Sequence, residues 1–529
     1  MNHIKSLTIN GFKKFKDFQI NFNESMNILV GENESGKSTI LEAIKVVLNQ
    51  QYRSSDKSIL CDLFNVTCVN EFKDNPSVKT LPKILIEIEF NLEKDNKNAE
   101  YFFGEVYGKQ ISQEEKYGIR FECKFNDDIG EGLNEFISQG KIPYEYYEMS
   151  WTTFANRPYQ LIKRPLNFIS IDTTNFGYPS FSYFNKSLFN SKYDDKERQR
   201  AKNIFRDKLE EAFKEIELPD IDERRKFGVD SKKVVLDTIL SVYEESISLE
   251  NRGSGMESLI KTQIALNKKN NLDVILIEEP ENHLSYTTLI KMLHEISNKK
   301  DDSQIIVTTH SNLITSRLNL KHVIWINDFE SVSLESVDND VADFFVKADD
   351  NSFLQFLLSK KVILVEGATE YMLIPYFYKL QTGRTIDADE ISVISCNGIS
   401  YKNYLRTVNC LNKKIAVITD NDGKKSKLDD ADSFNKDEGR KLQRIFIPED
   451  LNEFTWEVCI YNNNKNLLEN IIEVKSGANY KYHDKDYDQD PVLGKMLNNK
   501  VDSAYKMLLS EEKFLIPKYV EDAIEWISK

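Results

Sequence analysis

No stretch of this chain approaches the roughly 20 consecutive apolar residues needed to cross a bilayer. The opening residues, Met1 to Asn10, alternate like a strand and lack both the apolar core and the small-residue cleavage site of a secretory signal. Both absences predict a cytoplasmic protein. Cysteine is scarce: six residues, Cys61, Cys68, Cys123, Cys396, Cys410 and Cys459, with no C-x-x-C pair among them. That spacing speaks against a zinc site and against a disulfide framework. Positive charge is also in deficit, with a formal net charge of -15. Any nucleic-acid contact must therefore come from local patches. Candidates are Lys196 to Arg206, with Arg198, Arg200 and Lys202 between; Arg224-Arg225-Lys226; and Lys424-Lys425-Ser426-Lys427. Each also fits a plain solvated surface run.

What the chain does have is length. Its 529 residues predict roughly two to four domains. Hydrophobic residues at 40% and charged residues at 29% fit a globular protein. The short buried strand Met26-Asn27-Ile28-Leu29-Val30 leads into Gly31-Glu32-Asn33-Glu34-Ser35-Gly36-Lys37-Ser38-Thr39, and a helical pattern with Ile40, Leu41, Ala43 and Ile44 follows. This is G-x-x-x-x-G-K-[ST] in strand–loop–helix context. The site predicted for ATP comprises Gly31, Asn33, Gly36, Lys37, Ser38 and Thr39. Its glycines let backbone N–H groups face phosphates, Lys37 reaches the β/γ oxygens and Ser38 ligates Mg²⁺.

A second buried strand, Asp273 to Ile277, ends in Glu278-Glu279-Pro280-Glu281-Asn282-His283-Leu284. It resembles the Walker B and D-loop segment of ABC-type ATPases, with Glu278 in place of the usual Asp at the Mg²⁺ position and Glu279 as general base. The strand Ile305 to Thr309 delivers His310-Ser311, which looks like the ABC switch histidine. Upstream, Gly253-Ser254-Gly255-Met256-Glu257-Ser258 resembles a degenerate signature loop, adding Ser254 and Gly255 to the nucleotide site of a second subunit. That arrangement implies a homodimer or higher homo-oligomer. No sustained a/d heptads lie between the P-loop and Glu278, so a long coiled coil is not expected. The insert instead starts with the strand-like Ile84 to Phe90 and continues as a charge-rich helical section, about 185–250, suited to dimerisation.

After a polar stretch near Asp338 to Asn351 the β–α pattern restarts. Lys361 to Val365 leads to Glu366-Gly367-Ala368-Thr369-Glu370; Ile391 to Ser395 ends near Asn397-Gly398; Ile415 to Thr419 ends at Asp420-Asn421-Asp422. Carboxylates delivered to strand C-termini describe an open α/β sheet with its site in the usual crevice. The order of a Glu motif, a glycine and D-x-D strongly resembles the Toprim domain. Clustered acids repel when ionised, and Mg²⁺ or Mn²⁺ compensates them. Glu457, in Phe454-Thr455-Trp456-Glu457 after the apolar Arg444 to Ile447, is a further candidate ligand. Lys500 is placed to stabilise phosphoryl charge. The closing segment from Phe514 to Ile527 reads as an amphipathic structural helix.

An ABC-type ATPase followed by Toprim resembles the OLD (overcoming lysogenization defect) family of nucleases, which includes the nuclease subunit of the Gabija antiphage system and retron-associated effectors. The expected fold is α/β, with an N-terminal ABC-type P-loop ATPase head over 1–345, including the helical dimerisation insert. A C-terminal Toprim domain with a helical extension follows over 355–529. The resemblance implies ATP-regulated, Mg²⁺- or Mn²⁺-dependent DNA cleavage and homo-oligomerisation through the ATPase half. Its implied metal ligands are Glu366, Glu370, Asp420, Asp422 and Glu457, with Glu279, His310 and Lys500 in catalytic roles. It also implies an antiphage effector, whose defence partner would be helicase-like or a reverse transcriptase with nucleic acid. The competing expectations are an ATP-switched sensor and a toxin-like effector kept silent by a partner.

Overall fold

The computed structural model describes the chain except residues 54, 94–95, 97, 105–115, 127, 129–132, 173–177, 217–220, 222–223, 226, 228–229, 231–233, 268–271, 300–302, 328–329, 348–351, 397–399, 408–412, 476–479, 483–484, 488 and 511. Asn397-Gly398, Cys410 and Lys226 thus lie outside the described residues. The backbone forms two compact units, Met1–Leu318 with His322–Ser333, and Asn319–Lys321 with Leu334–Lys529. Among the described residues no helix is long and apolar enough to cross a membrane. The five described cysteines are free thiols.

The first unit is built on two sheets. In the antiparallel one, His3–Phe12 lies between Phe15–Asn21 and Ile84–Asn91, and Lys116–Phe125 continues the sheet. Alternation puts Ile84, Ile86, Ile88 and Phe90 inside. The other sheet runs in the order Ser331–Ser333, Val323–Ile326, Met26–Val30, Gln304–Thr309, Val274–Glu278, Phe168–Asp172, parallel throughout except for the first strand. Its three central strands are buried at every position, which is why they are continuous apolar runs rather than alternating ones. Helix Lys37–Asn49 sets Ile40, Leu41, Ile44 and Val47 into the core shared by both sheets.

The insert is less uniformly helical than its charge pattern suggests. Helix Tyr178–Lys192 is followed by Asp195–Lys214, which starts at an Asp194/Glu197 capping box. Beyond them, the described residues form the one-turn helix Leu236–Ile239, a hairpin of two-residue strands, Tyr243–Glu244 with Ile247–Ser248, and the 3-10 turn Leu249–Asn251.

In the second unit four parallel strands lie in the order Ile391–Ser395, Lys361–Val365, Lys414–Ile418, Gln443–Phe446. From Lys361–Val365 the chain proceeds to one edge, then returns past its start and proceeds to the other. The reversal falls between Val365 and Ile418, the switch point where open α/β sheets bind ligands. The closing helix Lys518–Ser528 buries Val520, Ala523, Ile524 and Ile527, as its amphipathic pattern requires. Helix Asn339–Lys347 belongs to this unit, although the ATPase domain expected from the sequence runs to residue 345. There Phe345 packs against Phe353 and Tyr404.

Candidate active sites

In the first unit, the strand Met26–Val30 ends in a loop that turns with Glu34 at φ 63 and Gly36 at φ 101. A Cβ at Gly36 would stand 2.3 Å from Phe15 Cζ, so glycine is required both for the left-handed backbone and for the close approach. Lys37 folds back onto this loop, donating to Gly31 O at 3.0 Å and Glu32 O at 2.9 Å. Burial lowers its pKa to about 8, against the attraction of Glu279 and Glu281. A buried ammonium facing carbonyls is a charge in want of an anion. Asn33 and Ser38 are exposed and Thr39 half-buried on the same loop and first helical turn.

Glu278 ends its strand beside Ser38, whose hydroxyl hydrogen-bonds it. Burial nevertheless raises the Glu278 carboxyl above the usual range. Glu279 follows at φ 44, with its N–H donating to Thr308 O at 3.0 Å. Its Oε2 accepts from Asn282 Nδ2 at 2.8 Å and its Oε1 lies 3.4 Å from His310 Nε2. Burial and the Lys37 charge lower the His310 pKa, with Glu279 and Glu281 opposing. A neutral imidazole beside a carboxylate suits a sensor of incoming negative charge. The structure therefore brings Lys37, Ser38, Glu278, Glu279 and His310 to one place. Gly253 caps helix Ser254–Ala265, and a Cβ at Gly255 would stand 2.5 Å from His283 O. The signature turn thus packs on the D-loop of its own chain.

The second unit gathers its acids at the switch point. Glu366 Oε1 accepts from the Thr419 hydroxyl and from Asp420 N at 3.1 Å. Glu370, in the first turn of helix Ala368–Thr382, Asp420 and Glu457 are 6%, 8% and 3% exposed, so three carboxyls share a nearly dry space. Burial, then Glu366, Glu370 and Glu457 in turn, push the Asp420 carboxyl well above its usual value. Glu370 is raised mainly by burial, with Glu457 and Glu366 adding to it. Lys500 Nζ reaches Glu457 Oε2 at 2.9 Å, while Glu457 Oε1 is buried without a hydrogen-bond partner.

Asp422 stands apart from this group. It sits at φ 50 in a turn, half-exposed and paired with Lys427 at 2.8 Å. Among the described residues no three His, Cys, Asp or Glu side chains are close enough together to hold an ion as they stand. Their chemistry still fits a divalent cation. The donors are hard oxygens, mutually repelling and buried, with one carboxylate oxygen orphaned.

Residues 357–422 match the family described as "Overcoming lysogenization defect protein-like, TOPRIM domain", and residues 3–155 and 173–315, more than half of the chain, match "AAA ATPase domain". The chain belongs to the OLD family, in which an AAA ATPase domain is followed by a Toprim domain. Curated relatives match only short segments. The DNA replication and repair protein RecF of Streptococcus gordonii is 41% identical over 59 residues, 11% of this chain and 16% of that protein. The chromosome partition protein Smc of Lactiplantibacillus plantarum is 53% identical over 49 residues, 9% of this chain and 4% of that protein. The chain therefore spans less than a fifth of the length of these relatives. Among solved structures, the SMC head domain from Thermotoga maritima aligns at 14% identity, covering 63% of this chain and 98% of that one, with a TM-score of 0.30.

Several residues of this OLD-family protein carry the sites without having been legible as motifs. Asp172 ends the strand Phe168–Asp172 in register with Glu278 and acts on its charge. Its one signal is an acid closing the apolar run Phe-Ile-Ser-Ile. Glu281 Oε1 accepts from Thr309 Oγ1 and from His310 N, both at 2.7 Å, and so fixes the switch loop. Asn421 is fully buried and donates to Pro448 O at 3.0 Å and Asp450 O at 2.9 Å, anchoring the Asp420–Asp422 turn. The basic patches are partly spent on structure. Lys202 pairs with Asp237 at 2.8 Å, Arg198 donates to Asn190 O at 3.1 Å, and Lys427 serves Asp422.

Proposed function

We propose that this OLD-family protein is an ATP-regulated, divalent-metal-dependent DNA endonuclease that acts as a homodimer or higher homo-oligomer. The observation that carries the reading is the buried Glu370, Asp420 and Glu457, with the half-buried Glu366 and Lys500 beside them. Those four acids and Asp422 would hold Mg²⁺ or Mn²⁺, which activates water and neutralises charge at the phosphodiester. Thr419 and Asp420 N orient Glu366, Asn421 fixes the turn, and Lys500 brings a positive charge next to the reacting phosphate. In the first unit Gly31, Gly36, Lys37 and Ser38 take the phosphates of ATP with its Mg²⁺, Glu278 holds that ion, Glu279 is the base and His310 the sensor. Ser254 and Gly255 would complete the site of a second copy.

A nuclease silent at rest, released by a trigger or partner in antiphage defence, is the second reading, favoured by Asp422 being paired with Lys427. The decisive assay is cleavage of supercoiled and linear DNA with Mg²⁺ or Mn²⁺, with and without ATP, beside Asp420→Ala. The substitution is expected to lower cleavage by at least about 100-fold. Equal cutting by the variant would sink the assignment.

A further inference from the structure

A cavity of about 340 Å³ opens beside Glu366 at the same switch point. Its walls are the ends of the two central strands. Cys396 and Ile447 give it apolar lining, and the first turn of helix Tyr401–Thr407 supplies an aromatic ring and Lys402. Lys427 and Asp430 close another side from helix Lys425–Asn435. Both lysines have carboxylate partners, Lys402 with Asp430 at 3.7 Å and Lys427 with Asp422 at 2.8 Å. The first pair is long and exposed, the kind that exchanges readily for another anion. Nothing in the metal chemistry uses Tyr401 or Lys402.

We infer that this cavity receives one unpaired nucleotide of the substrate strand, its base against Tyr401 and its phosphate at Lys402 and Lys427, next to the bond that is cut. The inference rests on the nuclease reading and names the form of DNA it acts on. The volume lies near the lower end of the roughly 300–1,000 Å³ of small-ligand sites, which admits a nucleotide and not a base pair. An apolar lining with one aromatic face and flanking cations is what an unstacked base and its phosphate require. Because Glu366 forms part of the wall, the occupant is held within one nucleotide of the acids. A base inside a duplex must leave the stack to enter, so frayed, mismatched or single-stranded DNA is favoured.

The test uses the full-length protein in two arms. In the first, a single-stranded oligonucleotide carrying 2-aminopurine is bound in Ca²⁺, and the fluorescence loss that accompanies stacking is read for wild type, Tyr401→Phe and Tyr401→Ala. In the second, cleavage of single-stranded and fully paired oligonucleotides is compared in Mn²⁺. Stacking on an aromatic side chain corresponds to about tenfold in affinity. Wild type and Tyr401→Phe are expected to quench the probe and prefer the unpaired substrate, while Tyr401→Ala loses both by about that factor. Lys402→Ala, on an exposed side chain, provides the second variant should Tyr401→Ala melt early. It is expected to weaken oligonucleotide binding and lessen its salt dependence.

Unchanged quenching and unchanged preference in Tyr401→Ala and Lys402→Ala, with cleavage intact, overturn the inference and leave the nuclease reading standing. Tyr401-dependent quenching by a protein that cuts nothing supports the pocket and removes the nuclease. Competition by free dAMP that matches the oligonucleotide in affinity would make the occupant a free nucleotide and overturn the substrate-strand assignment.

Discussion

Lys37 is charged against the preference of its surroundings, and that has a measurable consequence. A lysine whose pKa is lowered to about 8 by burial binds fewer protons folded than unfolded between pH 8 and its ordinary value. Its contribution to stability therefore rises with pH across that window and is least favourable below it. Nucleotide phosphates reverse the balance by favouring the ammonium. ATP binding at pH 8 is thus expected to take up roughly half a proton, read by calorimetry in buffers of different ionisation heat. Zero uptake would mean that Lys37 is fully charged before ATP arrives. Asp420 runs the other way. Its raised carboxyl pKa gives the metal-free protein most stability at acid pH, lost as pH rises through the folded value. Asp420→Asn is accordingly expected to raise the melting temperature of the metal-free protein at pH 8 while abolishing cleavage, and Mn²⁺ to stabilise wild type more at pH 8 than at pH 5. A variant that melts lower than wild type at pH 8 would show that mutual repulsion is not what burdens this site.

At the scale of elements, two contacts decide whether strands and turns hold their positions. The edge strand Gln443–Phe446 is sealed by one side chain: Asn435 Nδ2 donates to Ile445 O and Asn435 Oδ1 accepts from Ile445 N, both at 2.8 Å. This occupies an edge that would otherwise pair with another chain. Asn435→Ala is expected to lower stability by about 2 kcal/mol in urea unfolding, with Asn435→Asp between it and wild type. At Gly255 the obstacle is the backbone oxygen of His283, which cannot swing aside as a side chain would. Gly255→Ala should lower ATP hydrolysis by about tenfold while ATP still binds, because the signature turn and D-loop must separate. These elements also mark what was legible in advance. The P-loop, the apolar strands and the acids closing them follow from periodicity and spacing, since a parallel strand buried on both faces leaves an unmistakable run. Glu281 and Asn421 act through partners 27 to 29 residues away, and Asn435 through a strand that starts only after the next turn, contacts that no local pattern encodes. The D-x-D reading treated Asp420 and Asp422 alike. The left-handed turn at Asp422 sends the second toward Lys427, and the patch 424–427, read as a DNA contact, gives up one lysine to it.

The whole molecule joins an ATPase unit to a Toprim unit in one chain, and the functional question is whether the first governs the second. Each site is internally complete in its chemistry except at one point. The nucleotide site has its loop, acids and histidine, but the turn at Gly255 packs on the His283 loop of its own chain and would have to part from it to serve a second copy. The Toprim site has four gathered carboxylates and a fifth held away by Lys427. An ATP-dependent change in assembly would address the first gap, and any motion of the Asp420–Asp422 turn that followed would address the second. Glu279→Gln, which removes the base but keeps the hydrogen-bonding shape, is expected to stay associated with ATP bound. In sedimentation its mass should then be at least twice that of the ATP-free protein. Lys37→Ala should show no such ATP-dependent increase and should cut DNA at a rate indifferent to ATP. If Lys37→Ala instead cuts at the wild-type rate with wild-type nucleotide response, nucleotide engagement at Lys37 does not govern cleavage. The Lys427–Asp422 pair would then have to be opened by DNA itself, and Lys427→Ala, which also removes a phosphate contact, is expected to weaken DNA binding with no change in ATP dependence.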